Sequence, residues 1–199
     1  MTKTITTYSA SELKEANYRG FEKALENWRG NSYEIFGSDE IIESLKALIN
    51  ASNLYLQDWS LSMYAHESYV RIDWPSDGAS ELTGQRALAW LENNLFDGLR
   101  EKRPFVKRVK QYSNKWYDFT KHNQIPDCPF TGYFADDVYL ESLIDDIKAG
   151  MSLEDVYNAL ADKCAELLYA EYEDQNSEEY FIDHADANEY QFTFDGTMV

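Results

Sequence analysis

The segment from Tyr133 to Val199 constrains this 199-residue chain most, because it must fold while carrying a concentrated negative charge. It holds 18 of the 36 acidic residues and only two bases, Lys148 and Lys163, a net of about −16. The first 132 residues set 18 acids against 16 bases, a net of about −2. Such a segment folds only if its apolar side chains gather on one side and its carboxylates face water, and its periodicity is that of amphipathic helices. Asp136 or Asp137 opens one, with Leu140, Leu143, Ile144 and Ile147 inside and Gly150 as terminator. Ser152-Leu-Glu-Asp155 caps the longest, whose stripe is Leu153, Val156, Tyr157, Leu160, Cys164, Leu167 and Leu168. A third runs from about Ser177 to Ala187, and a strand from Tyr190 to Phe194 ends the pattern.

The near-neutral part reads differently. Ser9-Ala-Ser-Glu12 has the form of a capping box and predicts one helix reaching Gly30, and Ser38 caps a second through Ile49. After Asn50 the period becomes two. Leu54 and Leu56, then Trp59, Leu61 and Met63, alternate with a one-residue slip at Asp58, which predicts a bulged hairpin over 53–65 and 69–74. Pro75-Ser-Asp-Gly78 is turn chemistry, and a short strand over Ala79–Leu82 is an open alternative there. Thr83 caps a helix ending near Asp97-Gly98, and Trp116, Tyr117 and Phe119 favour a strand over 114–121. The expected fold is α+β, with an antiparallel sheet of about four strands and five or six helices. Residues 1–199 are expected to form a single domain, with a near-neutral α+β part at 1–132 and an acidic, mainly helical part at 133–199.

Composition removes several function classes. The 15 Tyr, 10 Phe and 5 Trp exclude a disordered acidic tail. A net charge of −18 repels nucleic acid and anionic membranes and attracts basic partners in a salt-sensitive way. No apolar run approaches a bilayer span and the amino terminus lacks the apolar core of a signal peptide, so a cytoplasmic location is expected. Cys128 and Cys164 form no metal or disulfide pattern; Cys164 reads as a core residue and Cys128 as a loop residue. Asp183-His184-Ala-Asp186 lacks the spacing of a metal site, and no phosphate loop, serine elbow or Cys-His pair is present. No cofactor, metal or catalytic residue is assigned.

A basic partner is the remaining direction. The segment Arg100–Lys121 carries eight bases and two acids, so even complete internal pairing with it leaves the acidic third at about −10. A purely solubilising role is the plainer alternative for such a surface. Candidate partner-binding carboxylates are Asp137, Glu141, Asp145, Asp146, Asp162, Glu166, Glu171, Glu173, Asp174, Glu178 and Glu179, with Tyr169 and Tyr180 as directional contacts. One helix is too sparse to imitate a duplex: it offers one acid per about 5 Å, against one charge per about 1.7 Å of DNA axis. Imitation requires several helices side by side.

Tyr8-Ser-Ala-Ser-Glu-Leu-Lys-Glu-Ala, Asp77-Gly-Ala-Ser80 with Thr83-Gly84, and Ala187-Asn-Glu-Tyr-Gln-Phe-Thr-Phe-Asp-Gly196 resemble a family of small acidic phage and prophage proteins, some labelled "antitoxin of toxin-antitoxin stability system". The resemblance implies a mobile-element origin, a location in the host cytoplasm and a role in conflict with host defence. The expectation is an acidic binding protein of the anti-CRISPR or anti-restriction type, without enzymatic activity, that occupies the basic nucleic-acid-binding surface of a host complex. An antitoxin neutralising a basic toxin is the alternative.

Overall fold

Local signals place most helix ends. The Ser9 hydroxyl accepts from the Glu12 amide while the Glu12 carboxylate accepts from the Ser9 amide, and this capping box starts α1, Ala10–Ala16. The single helix expected up to Gly30 is broken at Asn17, whose backbone leaves the helical region at φ −154°, and α2 follows over Tyr18–Asn31. A long-range bond lies at the break: the Asn17 amide group donates to the Phe194 carbonyl at 2.7 Å. Helix α3 spans Ser38–Ala51. The hairpin is present as β1, Tyr55–Ser60, and β2, Tyr69–Asp73, antiparallel, with its register shift between Leu56 and Asp58. The expected slip at Asp58 is therefore a real bulge, keeping Leu56 and Trp59 on the same side of the sheet.

Ala79–Glu81 forms a 3₁₀ turn where a short strand was one option. Helix α4, Gly84–Leu91, continues as a π-helical turn over Glu92–Phe96. The acidic helices are α5, Ala135–Ala149, ended by Gly150 at φ 98°, α6, Leu153–Gln175, and α7, Glu178–Ala187, capped by the Ser177 hydroxyl. The computed structural model describes residues 6–31, 36–76, 78–96, 99 and 126–199.

Among the described residues the fold is α+β, with seven α-helices and a two-stranded sheet. Two of the four expected strands are therefore not found in it. The 114–121 segment lies outside the described residues, as does all of Arg100–Lys121. Tyr190–Phe194 is not a strand: Phe192 bridges Tyr8 and Met198 singly, because the Thr193 and Gly196 amides bond back within the turn to Thr197 and Thr193. An alternating apolar pattern this short cannot distinguish a strand from a turn with two apolar residues turned inward.

The described chain divides into two compact units, one of residues up to Ser38 with those from Tyr169 onward, the other of Asp39–Leu168. The change of charge near residue 133 falls inside the larger unit. In the smaller unit, Ala10, Leu13, Phe21, Ala24 and Leu25 pack with Phe181, Ala185 and Phe192, so the first helices meet the last one. In the larger unit, Leu45, Leu48, Leu91, Tyr139, Leu143, Val156, Leu160 and Cys164 form the core, with Val70 from β2. Burial pushes the Cys164 thiol up to about 11, in keeping with an inert core cysteine.

Among the described residues three polar ones are buried, Ser44, Ser52 and Asp136, and each is bonded. The Ser52 hydroxyl donates to the Leu48 carbonyl at 2.9 Å and so accepts from the Tyr157 hydroxyl, which has no other hydrogen-bond partner among the described residues. Ser52→Ala should therefore cost about 1–3 kcal/mol by orphaning a buried phenol, and Tyr157→Phe only about 1 kcal/mol. Urea unfolding of both variants measures this, and a costlier Tyr157→Phe would refute the bonding order.

Candidate acidic interface

Helix polarity explains the first two acids of α5. Asp136 and Asp137 sit in its first turn, where carboxylates meet the positive end of the helix dipole, and both turn back to hold the loop before it. Asp136 accepts from the amides of Phe130, Thr131 and Gly132 at 2.8, 2.8 and 3.2 Å, and from the Thr131 hydroxyl at 3.0 Å. Asp137 accepts from the Cys128 amide at 3.0 Å and faces its thiol at 3.5 Å, which holds Cys128 at φ 47°. Burial and then this carboxylate raise the Cys128 pKa, the reverse of what a nucleophile needs.

The candidate residues now sort by what they touch. Of the 18 acids from 133 onward, twelve are exposed, five are half-buried and Asp136 is buried. In the larger unit, Glu141 and Asp145 form an exposed row on α5, with Asp145 also 2.9 Å from Lys148. Asp146 is half-buried, its pKa raised by burial and then by Asp145 beside it. On α6, Asp162 and Glu166 are exposed one turn apart, opposite the buried stripe, and Glu166 pairs with Lys163. Asp137, bonded twice to Cys128, has a structural task.

The smaller unit holds the other seven. Glu173, Asp174 and Glu179 are exposed, and Glu171 is half-buried beside Gln175. Tyr169 is 44% exposed with its ring 6.4 Å from that of Tyr172. Tyr180 is half-buried and stacks on His184, whose ring also meets Trp28 at 4.7 Å. Glu178 bonds Lys14 at 2.7 Å and the Tyr18 hydroxyl at 3.1 Å. Asp186, in the Asp183-His184-Ala-Asp186 run, accepts from the Ala10 amide and the Ser11 hydroxyl at the start of α1. No cluster able to hold a metal ion occurs among the described residues, and no helix there is long and apolar enough to cross a membrane.

Two carboxylates give the smaller unit an acid response. The Glu178 pKa is lowered by Lys14 and Tyr18, and that of Asp195 by the Thr193 hydroxyl and then Lys23. With the folded values below the ordinary 4.5 and 3.8, their stabilisation is complete above those values and lost as pH falls through the folded ones. In an NMR titration carried into strong acid, the Thr193–Thr197 turn should hold through pH 3.8 and open only as the pH falls well below it, through the lowered folded value. Asp195→Asn should abolish that transition; a transition unchanged by the substitution would refute the assignment.

Sequence reasoning missed one feature of the larger unit. An open cleft of about 490 Å³ lies between β2 and α6, walled by Tyr69, Val70, Met151, Asp155, Asn158 and Asp162. Asp155 read as a capping residue, which it also is, since it bonds Ser152 at 2.7 Å. Nothing in the local pattern tells that the same carboxylate borders a strand more than eighty positions earlier. No protein-family model, curated protein or solved structure matches this chain.

Proposed function

We propose that this chain is an acidic binding protein of phage or mobile-element origin that inhibits a host nucleic-acid-targeting defence complex, of the anti-CRISPR or anti-restriction kind, by occupying its basic nucleic-acid-binding surface. The observation that carries the reading is the excess of exposed carboxylates: twelve of eighteen in 133–199 face solvent, and only Asp145, Glu166 and Asp195 of these make an ion pair among the described residues. Holding so many like charges together costs stability, and a basic partner offsets that repulsion. Exposed Tyr169 and Tyr172 supply the aromatic anchors that charge alone lacks.

The test is charge reversal on solvent-facing positions only. Changing Glu141, Asp145 and Asp162 to Lys in one variant, and Glu173, Asp174 and Glu179 in another, should abolish inhibition of a nucleic-acid-targeting complex in at least one of them, with folding intact by circular dichroism. Binding by the native chain should weaken steeply with salt and be competed by DNA or RNA. Full inhibition by both variants would reject the reading. Capture of one small basic toxin whose toxicity the chain relieves would replace it with the antitoxin role.

A further inference from the structure

Within the larger unit, the cleft between β2 and α6 has the features of a strand-docking site. Tyr69 is exposed and Val70 buried, so they point to opposite faces of the sheet, yet both wall the cleft together with Ser68. A cleft touched by residues of both faces reaches the strand edge at that point, here the start of β2. No residue of β1 lines it, so it opens on the side of β2 away from its partner. Among the described residues the backbone of Tyr69–Asp73 bonds only to β1, so alternate amides and carbonyls along the edge that begins at this cleft have no backbone partner there. The far wall is α6, which brings Asp155, Asn158 and Asp162 to the opening.

Asp155 and Asp162 are exposed and seven residues apart, about 10 Å along the helix at about 1.5 Å per residue. Side chains two and four residues apart on an extended strand are separated by about 7 and 13 Å, so long basic side chains on one side of a docked strand bracket that spacing. We propose that the cleft receives an extended basic segment of the partner protein, which adds to β2 as a third strand while its Lys or Arg side chains pair with Asp155 and Asp162. This deepens the reading of the acidic surface given above and rests on it. A second copy of the chain is the poorer occupant, because a net charge of −18 on each molecule opposes the approach. The strand supplies backbone affinity and the two aspartates select a basic sequence.

The experiment uses the full chain and a ten-residue peptide of alternating Lys and Val, with the Glu/Val peptide as control. Calorimetry at low salt should detect binding of the Lys peptide alone, and hydrogen exchange at the Tyr69–Asp73 amides should slow severalfold in its presence. Asp162→Asn, which removes a carboxylate without a hydrogen-bond or ion-pair partner among the described residues, should weaken binding about five- to tenfold. A Glu22→Gln/Glu26→Gln pair, exposed on α2 and outside the candidate surface, should leave it unchanged. Binding without protection of β2, or lost equally in the α2 variant, overturns the cleft while leaving a general acidic surface intact. No binding of the Lys peptide also overturns the cleft, and the charge-reversal variants judge the wider reading independently. Protection of β2 before peptide is added, with or without a dimer in sedimentation, shows the edge already covered and likewise overturns the proposal.

Discussion

Asp136→Ala is expected to lower the stability of the larger unit by about 3 kcal/mol or more, the loss seen when a buried charge-assisted network is broken. The side chain is fully buried, and both its oxygens are engaged: Oδ2 takes three consecutive backbone amides and Oδ1 takes the Thr131 hydroxyl. Because Thr131 donates to Asp136, the hydroxyl of buried Ser44 must donate to Thr131, at 2.8 Å, and a relay runs from α3 through the loop to α5. Alanine leaves these donors facing a cavity. Asp136→Asn keeps one oxygen toward the three amides, and its amide group can donate to Thr131 if the relay reverses, so a loss of about 1–2 kcal/mol is expected. Urea unfolding of the two variants separates them. An alanine variant costing less than about 1 kcal/mol would show that the loop holds without the carboxylate.

The second large effect reverses a helix-propensity rule. Gly20 and Gly30 both lie within α2, where Ala is ordinarily favoured over Gly by about 1 kcal/mol. Gly30→Ala meets no atom of the described residues within 4 Å and should stabilise by about that amount. Gly20→Ala should instead destabilise by about 1–3 kcal/mol, because its new methyl group would overlap the Phe194 carbonyl oxygen and lie 2.9 Å from Asn17 Nδ2. Gly196 closes the same contact from the other side. A methyl group there overlaps the Gly20 carbonyl oxygen and the residue sits at φ 82°, so Gly196→Ala should cost about 3 kcal/mol from backbone strain and overlap together. Thermal unfolding and hydrogen exchange of the smaller unit measure all three. Equal stabilisation by Gly20→Ala and Gly30→Ala would mean that the C-terminal turn does not rest against α2.

The contrast between these glycines shows where sequence reading stops. The helix expected up to Gly30 does run through Gly20, in α2, but local spacing gives no sign that another backbone presses against it. The same limit separates Asp136 from Asp137 and Glu141. All three are acids at the head of one amphipathic helix, and composition treats them alike. Burial assigns Asp136 to the loop, the Cys128 amide and thiol assign Asp137 to it as well, and only Glu141 is left to solvent.

The candidate interface was more legible than the folding contacts, since exposed carboxylates follow from the apolar stripe they avoid. Glu141, Asp145, Asp162, Glu166, Glu173, Asp174 and Glu179 are all exposed as their helix positions require. Glu178 holds two partners within the chain that local spacing could not show, because Lys14 and the Tyr18 hydroxyl come from more than 150 positions earlier. The cleft that β2 forms with α6 escaped notice for the same reason, although Asp162 on its rim was among the candidates.

The sequence by itself determined the helices of the acidic segment, the capping box at Ser9, the bulge at Asp58 and the sign of the charge that segment exposes. Each depends on side chains within a few positions of one another, where spacing fixes which face is apolar. Tertiary structure alone decided that the first and last helices share a core, that Asn17 breaks a helix, that Tyr190–Phe194 bends into a turn, and that β2 and α6 frame a cleft. Those outcomes depend on which apolar face meets which, and hydrophobic burial is non-directional, so local pattern leaves the pairing open until the whole chain has collapsed.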